Sequence, residues 1–540
     1  MAPASGQNNE ADASHGKDFI QLPKRQVVIS MACVTLVVFL GAQGQTIVAT
    51  ALPDIVADLG GFDRYVWIAT AYMVAATITV PIAGGLSDVY GRKPFFILGL
   101  AIFVAASALL GISRSMNEVV TFRAVQGIGG GLIMTSGFVA VADLFPPQDR
   151  GKHQGLLAGV YGIASVVGPI VGDLITAHYS WNWIFLINIP IAVPALLLMV
   201  WIFPSLSSES ESRKLDYPGM VALVFAVVPL LLALSVGGVY HEWDSALSVG
   251  MLALGLAMAV VFIVIELRAE LPIMPMELYA DRSVSLGMII VVLTGFGLYS
   301  SLIFLPLFFR GVLGMVSSSL LVPMLLGIVF GGIVAGQLLS RTGGHYQLQV
   351  LASTALTTIG MYLISTMNEA TDPVLIGIYL VLTGLGLGGT LAVISVAVQN
   401  SVPFRLVGAG TSANQFFRTV GGMLGLTVVG VVMTLSFGSK LETMASDDLK
   451  TSLPEGLLES VKQDPQALLD PSEADLLRER LVEEGPEGIQ NVDSLLDSLN
   501  AALVGALSDV FTVLVVTAAL SSAAALFFRV PTDVERARQT

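Results

Sequence analysis

From Gly84 to Pro94 the chain reads GGLSDVYGRKP, and this stretch joins two apolar runs that are each long enough to cross a bilayer. Its residues divide the work in physical terms. Gly84 is small enough to let helices approach, Gly91 permits a sharp turn, and Asp88 can face a helix end or a basic group. Arg92 and Lys93 alone would make a plain basic connection, but that reading leaves the carboxylate and both glycines unexplained at this spacing. A charged latch that breaks and re-forms as two packed bodies move accounts for all five residues.

Composition supports the bilayer as solvent. The 540 residues are 54% hydrophobic and 12% charged, with a mean hydropathy of +0.80, against roughly 25% charged residues in an ordinary soluble domain. Apolar runs of about 20 residues, enough for roughly 30 Å of hydrocarbon, recur along almost the whole length. The polar start, 1–25, lacks the basic opening and small-residue cleavage site of a secretory signal and reads as a retained cytoplasmic tail. Cys33 is the one cysteine and lies in the first apolar run, so neither an internal disulfide nor a thiolate metal site is expected.

The runs predict fourteen spans, near 26–49, 65–86, 94–112, 119–142, 154–176, 182–204, 217–238, 245–267, 284–307, 318–339, 347–366, 373–397, 408–434 and 502–527. Lys and Arg set their orientation, because basic residues accumulate in cytoplasmic loops. Alternate connections hold Arg92, Lys93, Arg150, Lys152, Arg213, Lys214, Arg268, Arg282, Arg341 and Arg405, whereas the short opposite loops hold Arg64, Arg114 and Arg310. Both termini are therefore expected in the cytoplasm, with the chain in the inner cell membrane.

Segment 438–500 differs, with fifteen acidic residues against five basic ones, which accounts for ten of the fourteen net negative charges. It is expected as an outer loop, either a solvated flap or a dock for a periplasmic or envelope partner. An internal repeat also shows: Gly84, Leu86, Asp88 and Gly91 match Gly336, Leu338, Ser340 and Gly343, and Gly168 and Gly172 fall on Gly421 and Gly425. The expected organisation is a tail (1–25), a six-helix half (26–204), two inserted helices with their loops (205–282) and a second six-helix half (283–540), with substrate near mid-membrane between the halves.

The 84–94 stretch fits GxLxDxxGRK and resembles the signature loop of the major facilitator superfamily. Other elements follow in order and resemble its fourteen-helix drug:proton antiporter family. RAVQG carries Arg123, Gln126 and Gly127 in span four; GVYGIASVVGPIVGD in span five carries Gly168, Pro169 and Gly172 and resembles an antiporter motif; WNWIFLINIP follows with Trp181, Trp183, Phe185, Asn188 and Pro190. Span thirteen reads NQFFRTVGG around Arg418. An arginine within a span costs at least about 2.5 kcal/mol on insertion scales, so it is expected to face a cavity or a partner, or to snorkel to the interface. The resemblance implies an all-α polytopic transporter, with gating through Gly84, Asp88, Gly91, Arg92, Lys93, Gly168, Pro169 and Gly172.

Three departures bear on mechanism. Gly44, between Gln43 and Gln45, stands where the family has a membrane-embedded aspartate; Asp173 replaces a packing glycine; Asn182 replaces an arginine. Arg123, Asp173 and Arg418 are thus the candidates for proton coupling, with Asp173 either a proton carrier or a static group at the outer interface. Candidate cavity residues are Gln43, Gln45, Trp67, Tyr72, Gln126, Met134, Asn414, Gln415 and Phe416, soft and adaptable walls for hydrophobic ligands. No HExxH, GxSxG or Walker loop occurs, so no enzyme is expected, and no metal, cofactor or nucleic-acid partner. The leading expectation is export of lipophilic cations and neutral amphiphiles driven by the proton gradient; lipid or glycolipid export and a non-transporting receptor are the alternatives.

Overall fold

The computed structural model describes residues 22–60, 64–203, 216–236, 243, 245–313, 318–342, 345–368, 370–444 and 486–530. The polar start to residue 21 and stretch 445–485 of the acidic segment lie outside the described residues, as do the expectations placed on them. Among the described residues fourteen helical stretches are long and apolar enough to span a membrane. The first half contains α1 (Lys24–Leu59), α2 (Tyr65–Tyr90), α3 (Arg92–Gly111), α4 (Met116–Leu144), α5 (Pro147–His178) and a broken span made of α6 (Trp183–Leu186) and α7 (Asn188–Ile202). Then come α8 (Tyr217–Val236), α9 (Ala246–Glu266) and the short α10 (Glu277–Ala280). The second half is α11 (Arg282–Gly311), α12 (Val322–Thr342), α13 (Tyr346–Ser365), α14 (Pro373–Ser401), α15 (Val407–Met444) and α16 (Pro486–Phe527).

Local chemistry sets many of the boundaries. Ser115 accepts from the Glu118 amide to cap α4, Asp281 caps α11, and Asp372 caps α14 ahead of a proline in its first turn. Several helices overrun the predicted spans, α1 to Leu59 and α15 to Met444, because hydropathy marks the bilayer and not the end of the hydrogen-bond ladder.

Packing within the two halves is parallel. α1 lies on α5 and α2 on α4 in the first half, as α11 lies on α15 and α12 on α14 in the second. The glycines of the repeat explain this: Gly168 and Gly172 of α5 press on Thr46, Ile47 and Thr50 of α1, and Gly421 and Gly425 of α15 press on the backbone of Val292 and Phe296 of α11. Any side chain there would collide with a neighbouring helix. α8 and α9 flank this bundle. α8 packs on α2 and α15, while α9 packs on α8 and turns Leu254, Leu256, Val260 and Ile263 outward.

Candidate functional site

The signature loop lies where α2 meets α3. Gly91 has φ +84°, a left-handed conformation suited to glycine, and α3 begins at the next residue. Asp88 then pairs with Arg92 at 2.5 Å, both almost wholly buried. Arg92 also donates to Ser87 Oγ (2.8 Å) and pairs with Asp143 at the end of α4 (3.2 Å). Asp88 reaches across to the other half, where Oδ1 accepts from the Gly408 amide (3.0 Å) and Oδ2 from the Ala409 amide (2.8 Å). These amides open α15, the positive end of its dipole, and that helix has no acid of its own in its first turn. Gly84 extends the junction, since a Cβ there would meet the Ser412 side chain and stand 2.7 Å from the Gly408 carbonyl oxygen. Lys93 donates to the Phe203 carbonyl just beyond α7 (2.8 Å), within its own half.

A second junction joins the halves on the same face. Gly151 and Gly155 of α5 lie against the backbone of Gly336 and Gly332 of α12, and Gly159 and Gly162 continue the line toward Val329 and Leu325. Arg150 donates to Asn400 Oδ1 (2.8 Å) and Gln399 donates to the Phe138 carbonyl (3.1 Å), which ties α14 to α4 and α5.

Deeper between the halves is a polar chamber. Tyr161 of α5 donates to Gln45 Oε1 (3.0 Å), and the Arg418 guanidinium lies 5.7 Å from the Tyr161 ring centre, so residues of α1, α5 and α15 meet there. Arg418 donates to Gln415 Oε1 (3.2 Å) and Asn414 to Ser395 Oγ (3.1 Å). The space beside Arg418 is a cavity of about 20 Å3, lined also by Phe138, Gln154, Ser165 and Leu391, with room for about one water. Arg123 is enclosed on one side of this layer. It stands 4.3 Å over the Tyr72 ring and donates to the carbonyls of Ile68 (3.2 Å) and Gly44 (3.0 Å) and to Gln126 Oε1 (2.7 Å). Where the family resemblance expects an aspartate, this chain presents the Gly44 backbone carbonyl.

A sequence profile of the Major Facilitator Superfamily matches residues 34–426. The chain belongs to that superfamily. It is 34% identical over 508 residues to Multidrug resistance protein 3 of Bacillus subtilis (strain 168), covering 93% of this chain and 96% of the relative. It is 36% identical over 423 residues to the Multidrug transporter protein MdtP of the same organism, 77% of each. Among solved structures it resembles the human organic anion transporter MFSD10, with a TM-score of 0.56 and 18% identity over 76% of this chain and 94% of that one, a likeness of fold alone. This facilitator is a multi-pass membrane transporter and not an enzyme, and several of its curated relatives are named multidrug transporters or efflux pumps.

Of the residues singled out in the sequence, Gly84, Asp88, Gly91 and Arg92 gather at the α2–α3 junction, while Gly168 and Gly172 lie further along α5 against α1, with Pro169 between them. Gln45, Tyr72, Arg123, Asn414, Gln415 and Arg418 belong to the central layer. Gln126 is held between Arg123 and Ser107 of α3, Gln43 is buried with its carbonyl oxygen unpartnered, and Met134 packs beside Gly41. Trp67 is half-buried at the start of α2, and Phe416 packs edge-on against Phe417 at 5.4 Å. Asp173 is exposed near the end of α5, apart from the chamber. Sequence reading missed Tyr161, Gln154, Asp143 and the Gly151/Gly155 surface; only the Gly-x-x-x-Gly spacing of the last could have signalled a helix contact.

Proposed function

We propose that this chain exports small amphiphilic compounds by alternating access, energised by the proton-motive force, with its signature loop and both termini in the cytoplasm of an inner-membrane protein. The observation that carries this reading is the Asp88 junction: a carboxylate from one half closes on the amides that open α15 in the other, while the chamber above it is built from both. Separation of the halves there would open the chamber to the cytoplasm, and 26–204 and 283–540 would rock as units with 205–282 riding on their flank. Proton antiport requires a carboxylate that exchanges with water, and Asp173, exposed five residues before the end of α5, is the candidate carrier, with Arg123 and Arg418 the fixed cations of the central layer apart from it.

An apolar groove of about 820 Å3 between α1 and α5, lined by Val28, Met31, Leu36, Phe39, Leu156 and Ile163, supports a second reading, in which the cargo is a lipid. The test is accumulation in everted vesicles. A neutral dansyl amide should accumulate on energisation and leak away after a protonophore is added, with no movement of a fluorescent phospholipid. Phospholipid movement alone would favour the lipid reading, and no movement of either probe would overturn export.

A further inference from the structure

The chamber has an unbalanced charge. Arg418 lies eleven residues into α15, about 17 Å along the helix at 1.5 Å per residue and so near mid-membrane. Among the described residues its one hydrogen bond goes to a neutral amide, which leaves most of its five N–H donors unused there. Beside it the Gln415 side-chain amide is buried, and its Nε2 donor has no partner. Arg123 adds a second cation whose acceptors are all neutral. Among the described residues no carboxylate answers either charge. Asp88 and Asp143 are held by Arg92 at the latch, Asp509 is held by Lys440 at 2.6 Å, and Asp173 sits near the end of α5. The position that could have supplied an acid, residue 44, is glycine, and a Cβ there would already be 3.1 Å from the Phe103 ring.

Resting on the export reading, we infer that the chamber, widened from its present one-water volume as the halves part, selects organic anions, amphiphiles bearing a carboxylate or sulfonate that accept from Arg418 and from Gln415 Nε2 while their apolar body lies on Leu298, Leu325 and Leu391. Uncompensated donors in a low-dielectric site attract an acceptor with negative charge and repel a cation. The inference also accounts for Gly44. A potential of 100 mV, negative inside, favours an expelled monovalent anion about fiftyfold, so this cargo can leave without a proton carrier.

The test uses the purified full chain in phosphatidylcholine nanodiscs, titrated with three dansyl probes that share one alkyl linker and end in a sulfonate, an amide or a trimethylammonium. The sulfonate should bind at least about tenfold more tightly than the ammonium, with the amide between, as expected for a hydrogen bond to a charged group. Arg418→Gln should abolish the preference, and Arg418→Lys should keep it. In proteoliposomes at equal pH, a lumen-positive potassium diffusion potential should suffice to load the sulfonate. Equal or tighter ammonium binding, or sulfonate loading that demands a pH gradient, would overturn the inference and leave export standing; failure of all three probes to bind or move would overturn both.

Discussion

The repeat brings two related helix ends to one face, and they meet their partners by different physics. The end of α2 engages the start of α15 through charge, as Asp88 takes the Gly408 and Ala409 amides and holds Arg92 behind it. The end of α12 engages the start of α5 through shape, glycine on glycine, and Ser340, at the position matching Asp88, spends its hydroxyl on the Gly336 carbonyl of its own helix (3.1 Å). The helix starts explain the difference. α5 opens on Pro147, which has no amide to satisfy, and carries Asp149 in its first turn; α15 has no acid there and borrows one from α2. A charged junction can be switched by what its carboxylate touches, whereas the glycine contact of α5 with α12 slides with mainly dispersion to lose, the polar ties beside it running from Arg150 and Gln399 between α14 and α4 and α5. The first is suited to a latch and the second to a bearing.

The largest expected effect is at the bearing. Gly155→Leu would drive a side chain onto the Gly332 carbonyl and the Ile333 Cα (3.2 Å), and overpacking of backbone on backbone costs about 3 kcal/mol or more. Yield of monodisperse protein from detergent should collapse; a normal elution profile with normal transport would show that the two helices do not stay in contact. The smallest effect is at the repeat position of the latch. Ser340→Ala removes a hydroxyl bonded within its own helix and should change stability and transport by less than about 0.5 kcal/mol. A large loss there would mean that the α5–α12 contact itself works through polar groups, and the contrast between the two would fail.

Much of this was legible in the sequence. The spans, the repeat and the signature loop were, because bilayer length and helix approach impose strict residue patterns, and Arg123 and Arg418 stood out because charge within a span is costly. What the arginines bind was not. Arg123 rests on the backbone carbonyls of Ile68 and Gly44, and carbonyls carry no sequence signature. Tyr161 and Gln154 matter because α5 faces α12 and α15 across the halves, a pairing set by topology between residues hundreds of positions apart. Gly44 was visible as a departure, but its consequence, an arginine with only neutral acceptors, required the packing of α1 against α4.

The central claim is that the Asp88 junction is a latch between two states and not a brace for one. Asp88→Asn keeps the side chain's shape and one acceptor but removes the charge on which the two α15 amides close, a loss of roughly 1.5 to 3 kcal/mol across the junction that falls on the closed state. The direct measurement is dansyl amide efflux by reconstituted Asp88→Asn, with thermal stability and probe affinity determined on the same preparation. The account predicts turnover reduced at least about tenfold, with a melting temperature and affinity close to those of the parent chain. Parental turnover, or a loss of turnover matched by loss of the folded protein, would contradict it.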